Sequence, residues 1–150
     1  MEQRINVHAK GQKALKTLFS IGTYLKESPV EERLLSLVYF RVSQINGCAY
    51  CLDMHAKEAR HEGESEQRLY GLSAWRETPY YSDRERAALT WAEAITTCNV
   101  PDSVYNEASA LFTEAELIDL TLAITTINTW NRFNIAFPTL PGSYRVGQFG

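Results

Sequence analysis

The sequence predicts an all-α protein, and three observations carry that prediction. Apolar residues recur at helical spacing, in Leu34, Leu37, Val38, Phe40 and Val42 and again in Ala87, Ala88, Trp91, Ala92 and Ile95. Ser-Asp-Arg-Glu at 82–85 and Thr-Glu-Ala-Glu at 113–116 each set a hydroxyl three residues before a glutamate, the signature of a capping box at a helix start. No stretch alternates apolar and polar residues between hairpin turns, as strands would. The expectation is a single helical domain over residues 1–150, with six or seven helices.

Taken in order, the first strong start signal is Ser28-Pro29-Val30-Glu31, where serine reads as the N-cap, proline as the first helical residue and glutamate as the closing member of the box. That helix runs to Asn46-Gly47, a strong turn signal because glycine adopts positive φ at no steric cost. A new helix begins at or just before Cys48 and continues through Leu52, Met54, Ala56, Ala59 and Arg60. Asn99-Val100-Pro101-Asp102 reads as one helix ending and another starting. The last long helix, roughly Thr113 to Ala136, is apolar nearly all round, with Leu117, Ile118, Leu120, Leu122, Ile124 and Phe133 on no single stripe. Such a helix is the central core element or packs against another subunit as well, so a homo-oligomer is expected.

Composition narrows the function classes. The 150 residues are 45% hydrophobic and 22% charged, ordinary for a globular protein, and the net charge is −3. The fifteen lysines and arginines are scattered, which argues against a nucleic-acid partner. Asp119, Thr121, Thr125 and Thr126 interrupt the most apolar run, so no membrane span is expected. The N-terminus lacks the apolar core of a signal peptide, and a cytoplasmic location is expected. Three cysteines are too few for a secreted disulfide framework.

Two of those cysteines form the informative stretch, NGCAYCLDMH at 46–55. Placing Cys48 in a first helical turn would let free backbone N–H groups and the positive helix end stabilise a thiolate. Residues three apart on a helix have Cα atoms about 5 Å apart, within disulfide reach. Cys48, Cys51 and His55 share one helical face, with His55 one turn from Cys51 and nearly two from Cys48. An imidazole there can accept a thiol proton or deliver one to a leaving group. By spacing alone, the trio also fits two structural cysteines, or three ligands of a zinc site whose fourth ligand, His8 or Cys98, would arrive only through the fold, since His61 points to a different face.

The longer string RVSQINGCAYCLDMHAKEAR at 41–60 goes further, together with ERAALTWAEAIT at 85–96 and LAITTINTWNRFNIAF at 122–137 with its PGSY tail at 141–144. These segments closely resemble the alkylhydroperoxidase D-like branch of the carboxymuconolactone decarboxylase-like superfamily, over a core from about 30 to 144. The resemblance implies an all-helical fold assembling as trimers or hexamers. It implies reduction of a hydroperoxide by a dithiol that cycles through a Cys48–Cys51 disulfide, with His55 moving the proton. No cofactor beyond that pair is implied, and the disulfide is returned to thiols by an external dithiol or a protein reductant. The decarboxylase branch uses acid–base chemistry that does not need a cysteine pair.

Two positions depart from the pattern. Peroxidases of this branch carry a relay glutamate twelve residues before the first cysteine, where this chain has Ser36, and a histidine before the second, where it has Tyr50. Glu32, one turn before Ser36, is the candidate replacement carboxylate, and Tyr50 a candidate channel residue. The rival reading from another class is a non-enzymatic helical scaffold whose pair senses redox state or holds zinc. Cys98 reads as a small buried side chain at a helix end; Trp75, Trp91 and Trp130 read as core or interface anchors. Asn131 and Arg132 read as structural, in capping or subunit contact, while His8 and His61 have no partner legible in the sequence.

Overall fold

The computed structural model describes residues 4–149, and among them every regular element is helical. Eight α-helices follow one another: α1 (Val7–Lys10), α2 (Gln12–Leu25), α3 (Glu32–Asn46), α4 (Ala49–His61), α5 (Glu66–Gly71), α6 (Asp83–Thr96), α7 (Asp102–Ser109) and α8 (Glu114–Ala136). A 3-10 turn, Leu72–Glu77, follows α5. The count exceeds the six or seven expected because α1 and α5 are only 4 and 6 residues long, too short to present an apolar period.

The capping boxes at Ser82 and Thr113 form as expected. Each hydroxyl accepts from the backbone N–H of Glu85 or Glu116, and each glutamate returns a bond to the cap N–H. Ser28 does something else. Its hydroxyl donates to Asp119 Oδ2 at 2.7 Å and accepts from the N–H of Val30, while Glu31 takes an extended conformation and becomes the N-cap of α3. The long-range bond to α8 captures the serine, so the helix starts at Glu32 rather than near Pro29.

α8 is the central element, packed by α2, α3, α4, α6 and α7. Leu120, Ala123 and Ile124 of α8 meet Val38 and Val42 of α3 and Ala88 and Ala92 of α6, all essentially without exposure. Each fully buried Leu or Ile contributes about 1.5–3 kcal/mol of transfer free energy, and alanines on α6 let the helix axes approach closely. A second cluster, including Leu37, Leu72, Trp75 and Leu89, seals the side formed by α5 and the 3-10 turn. Central packing accounts for most of the apolar circumference of α8, but Ile118 and Ile135 stay exposed. No described helix is long and apolar enough to cross a membrane. Cys98 is a correction: it is exposed and holds φ 55° just beyond α6, because the left-handed residue that turns the chain away carries its side chain outward.

Candidate active site

The site is assembled on the junction between α3 and α4. Gly47 lies in the left-handed region at φ 67°, and the N–H groups of Cys48 and Gly47 donate back to the carbonyls of Ser43 and Gln44. This is a Schellman ending, which terminates α3 and points the chain into α4. The asparagine beside the glycine anchors the junction. Asn46 Nδ2 donates to Asn128 Oδ1 and Asn131 Oδ1, both at 2.9 Å, and Asn131 Nδ2 donates to Ser43 Oγ at 3.0 Å. Asn128 Nδ2 donates in turn to Thr96 Oγ1 and to the carbonyl of Ile124. Asn131, itself fully buried, thus has a structural role at the joint, and Arg132 caps locally onto Asn128.

Cys48 is the N-cap of α4 rather than a first-turn residue, and its Sγ accepts from the N–H of Cys51 at 3.3 Å. The electrostatic consequence is that expected of a first turn: a free helix N–H points at the sulfur and favours its thiolate. Cys48 and Cys51 are joined as a disulfide, with Cα atoms 5.3 Å apart. Both are buried, yet only Cys51 lines the neighbouring cavity. That cavity encloses about 200 Å³ and its walls are mainly apolar, with Leu25, Met54, Ile127 and Trp130 among them. Asn134 Nδ2 donates to Cys51 Sγ at 3.6 Å.

His55 sits one turn beyond Cys51 on the cavity wall and is 7% exposed. Its ring packs against Tyr39, with centroids 5.3 Å apart. Nδ1 lies 3.4 Å from Glu58 Oε2, whereas Nε2 is buried and has no hydrogen-bond partner among the described residues. A carboxylate facing Nδ1 favours the tautomer with the hydrogen there, leaving Nε2 as a bare acceptor. Glu58 also accepts from the hydroxyl of Tyr144, which reaches in from the C-terminal segment. Burial pushes the Glu58 carboxyl up, but the hydrogen bonds from His55 and Tyr144 outweigh it and hold the group below the ordinary carboxylate range. Burial and then the Glu58 charge push the Tyr39 phenol up, so it stays protonated at neutral pH.

The other sequence candidates divide. Tyr50 is buried and lines the cavity. Ser36 is outside the cavity wall and donates to Glu62 Oε2 at 2.7 Å; Glu32 is exposed in the first turn of α3, also outside the wall. The carboxylate next to His55 is therefore Glu58, which sequence reasoning missed although its place three residues after His55 on one helix was a usable signal. His8 lines the cavity and stacks on Phe149, and Trp130 is a cavity wall as well as a packing residue. His61 is exposed beyond the site.

Comparison with known proteins agrees with this architecture. The model of the carboxymuconolactone decarboxylase family matches residues 12–94, which include both cysteines, His55 and Glu58. The chain belongs to that family. Within the carboxymuconolactone decarboxylase family it is AhpD-like: a crystal structure from Agrobacterium tumefaciens, of a protein of unknown function proposed to be the antioxidant defence protein AhpD, superposes with a TM-score of 0.91 at 39% identity, over 95% of this chain and 100% of that one. The uncharacterized protein YdfG of Bacillus subtilis is 41% identical over 91% of this chain and 95% of its own length. The debrominase Bmp8 shares the fold at 17% identity and a TM-score of 0.81, over 90% of this chain and 74% of that one. α8 and the C-terminal Tyr144 lie outside the segment that the family model matches.

Proposed function

We propose that the protein is a thiol-dependent hydroperoxide reductase cycling between a Cys48/Cys51 dithiol and the Cys48–Cys51 disulfide. One observation carries the reading: Cys51 lines an apolar cavity beside a buried imidazole whose Nε2 has no partner among the described residues. His55 Nε2 takes the Cys51 thiol proton, and the thiolate attacks the outer peroxide oxygen. The O–O bond breaks as the S–O bond forms, and the proton returns to the leaving alkoxide; the products are the Cys51 sulfenic acid and an alcohol. The Cys48 sulfur then attacks the sulfenic sulfur; the S–O bond breaks, and the proton of the Cys48 thiol passes to the departing hydroxide, which leaves as water. In the return half-reaction one thiol of an external dithiol attacks the cavity-facing Cys51 sulfur and Cys48 leaves as a thiolate, its charge stabilised by the Cys51 N–H and the start of α4. The second thiol of the reductant then attacks its own sulfur in the mixed disulfide, Cys51 leaves, and the reductant departs as a disulfide. The reading takes support from the AhpD-like relative proposed to act in antioxidant defence. The same proposal includes a homotrimer or homohexamer and an external dithiol or protein reductant.

The test is a quenched thiol count by mass spectrometry on metal-analysed, reduced protein, before and after one equivalent of cumene hydroperoxide. Rapid formation of the Cys48–Cys51 disulfide, with Cys98 still a thiol and turnover when dithiothreitol is added, is expected. Thiols that stay reduced, or zinc that co-purifies with them, would overturn the reading in favour of a scaffold; a single oxidation without turnover would make the pair a sensor.

A further inference from the structure

A buried histidine that shuttles a proton from one ring nitrogen needs the other held, since rotation or the wrong tautomer removes the acceptor. In this chain one carboxylate is in position to do so. Cys51, His55, Glu58 and Glu62 lie at intervals of four, three and four residues and form one stripe along α4. Of the carboxylates near the site, Glu62 is engaged by Ser36 and Glu32 is exposed, whereas Glu58 Oε2 stands 3.4 Å from His55 Nδ1. The place beside residue 36 is already supplied with the Glu62 carboxylate, so a further acid there would meet a like charge.

Glu58 is itself held from outside the helix. Its second carboxylate oxygen accepts from Tyr144, and the segment carrying Tyr144 is pinned to the same helix by neighbouring bonds. Lys57 Nζ donates to the carbonyls of Gly142 and Tyr144 at 3.3 and 3.2 Å, and the Gly142 N–H donates to Asp53 Oδ2 at 2.9 Å. Tyr144 stacks on Phe149, which lines the cavity. The C-terminal segment therefore completes both the cavity wall and the support behind the imidazole.

We infer that Glu58 is the positioning residue that fixes the tautomer of His55, and that Tyr144 latches Glu58 in that role. The inference rests on the proposed function for its purpose but not for its geometry. The charged and titratable groups around Glu58 include His55 and Tyr50 on α4, Glu62 at its C-terminal cap, Tyr39 on α3, Lys26 after α2 and Tyr144 in the C-terminal segment. His55 and Tyr144 touch its carboxylate directly, one at each oxygen.

The experiment uses the reduced full chain and two readouts that do not need a peroxide. Nitrogen-15 NMR reports the His55 tautomer, with His8 and His61 as internal references, and iodoacetamide alkylation at several pH values reports Cys51 reactivity. In the wild type, His55 should carry its hydrogen on Nδ1. Glu58→Leu removes the acceptor and should give a mixed tautomer with alkylation slowed about tenfold to a hundredfold at neutral pH, taking as a guide the loss seen when the partner of a metal-bound histidine is removed. Glu58→Gln keeps an acceptor without the charge and should fall between the two, and Tyr144→Phe should give a smaller change in the same direction. An unchanged tautomer in Glu58→Leu, or slowed alkylation with an unchanged tautomer in both Glu58 variants, would overturn the inference. A wild type that ignores cumene hydroperoxide would sink the peroxidase reading alone, because the tautomer still decides the role of Glu58.

Discussion

On one side of the α3–α4 junction, Asn46, Asn128, Asn131 and Ser43 close a network in which amides and hydroxyls meet each other; on the other, the cavity beside Cys51 is apolar and His55 Nε2 has no partner among the described residues. Both regions are buried and both contain polar groups, so burial alone does not distinguish them. A buried polar atom left unpaired costs about 1–3 kcal/mol; the first region meets that demand with its own side chains, whereas His55 Nε2 finds no such partner among the described residues and borders the cavity. The satisfied joint fixes where α4 begins. The unsatisfied acceptor is free to take a proton, and groups of this kind are commonest at functional sites.

The sharpest break comes from separating the two sulfurs. With Cys51 changed to Ser, reaction with cumene hydroperoxide should be lost entirely. Cys48→Ser should still consume one equivalent and hold Cys51 as a sulfenic acid, which dimedone traps. Equal trapping at Cys48 in the Cys51→Ser protein would erase the distinction between the closed and open sides.

Next in size is damage to the joint. Asn131→Ala removes its bonds to Asn46 and Ser43 at a position with no exposure and should destabilise the fold by about 3 kcal/mol in urea unfolding. A loss below about 1 kcal/mol would show that the network is not what fixes the junction.

Acid should separate the regions further, because the joint consists of amides and hydroxyls that do not titrate, whereas the cavity side depends on Glu58. Its folded pKa lies below the reference value of 4.5, so the stability it contributes is full above that value and is lost as pH falls through the folded pKa. Asp53, which holds Gly142 and Lys57, is shifted in the same direction. Amide exchange in residues 138–149 should therefore accelerate as pH drops through the carboxylate range, after correction for intrinsic rates, before the α3–α8 core opens. Simultaneous opening of both would contradict the comparison.

The smallest effect is stabilising. Gly22 lies in α2 on the cavity rim, and a Cβ there meets nothing within 4 Å. Gly22→Ala should raise stability by about 0.5–1 kcal/mol through helix propensity, with the chemistry at Cys51 unchanged.

The parts of this protein written into its sequence are those whose partners lie within a turn or two. The capping boxes at Ser82 and Thr113, the Asn46-Gly47 ending, the long α8 and the alignment of Cys48, Cys51 and His55 all follow from contacts three to five residues apart. Ser28 shows where that logic ends. Its local pattern was that of an N-cap, but Asp119, 91 residues away, offered a stronger acceptor. Glu58 shows the same limit at the site. Its spacing from His55 was visible, yet its assignment depends on Tyr144, 86 residues further along the chain, and on the path that brings the C-terminal segment across α4. The sequence by itself determined which residues could react and on which face they stand. The tertiary structure decided which sulfur meets the cavity, which carboxylate backs the imidazole and which polar groups go unpaired, because burial and long-range hydrogen bonding depend on how distant segments pack.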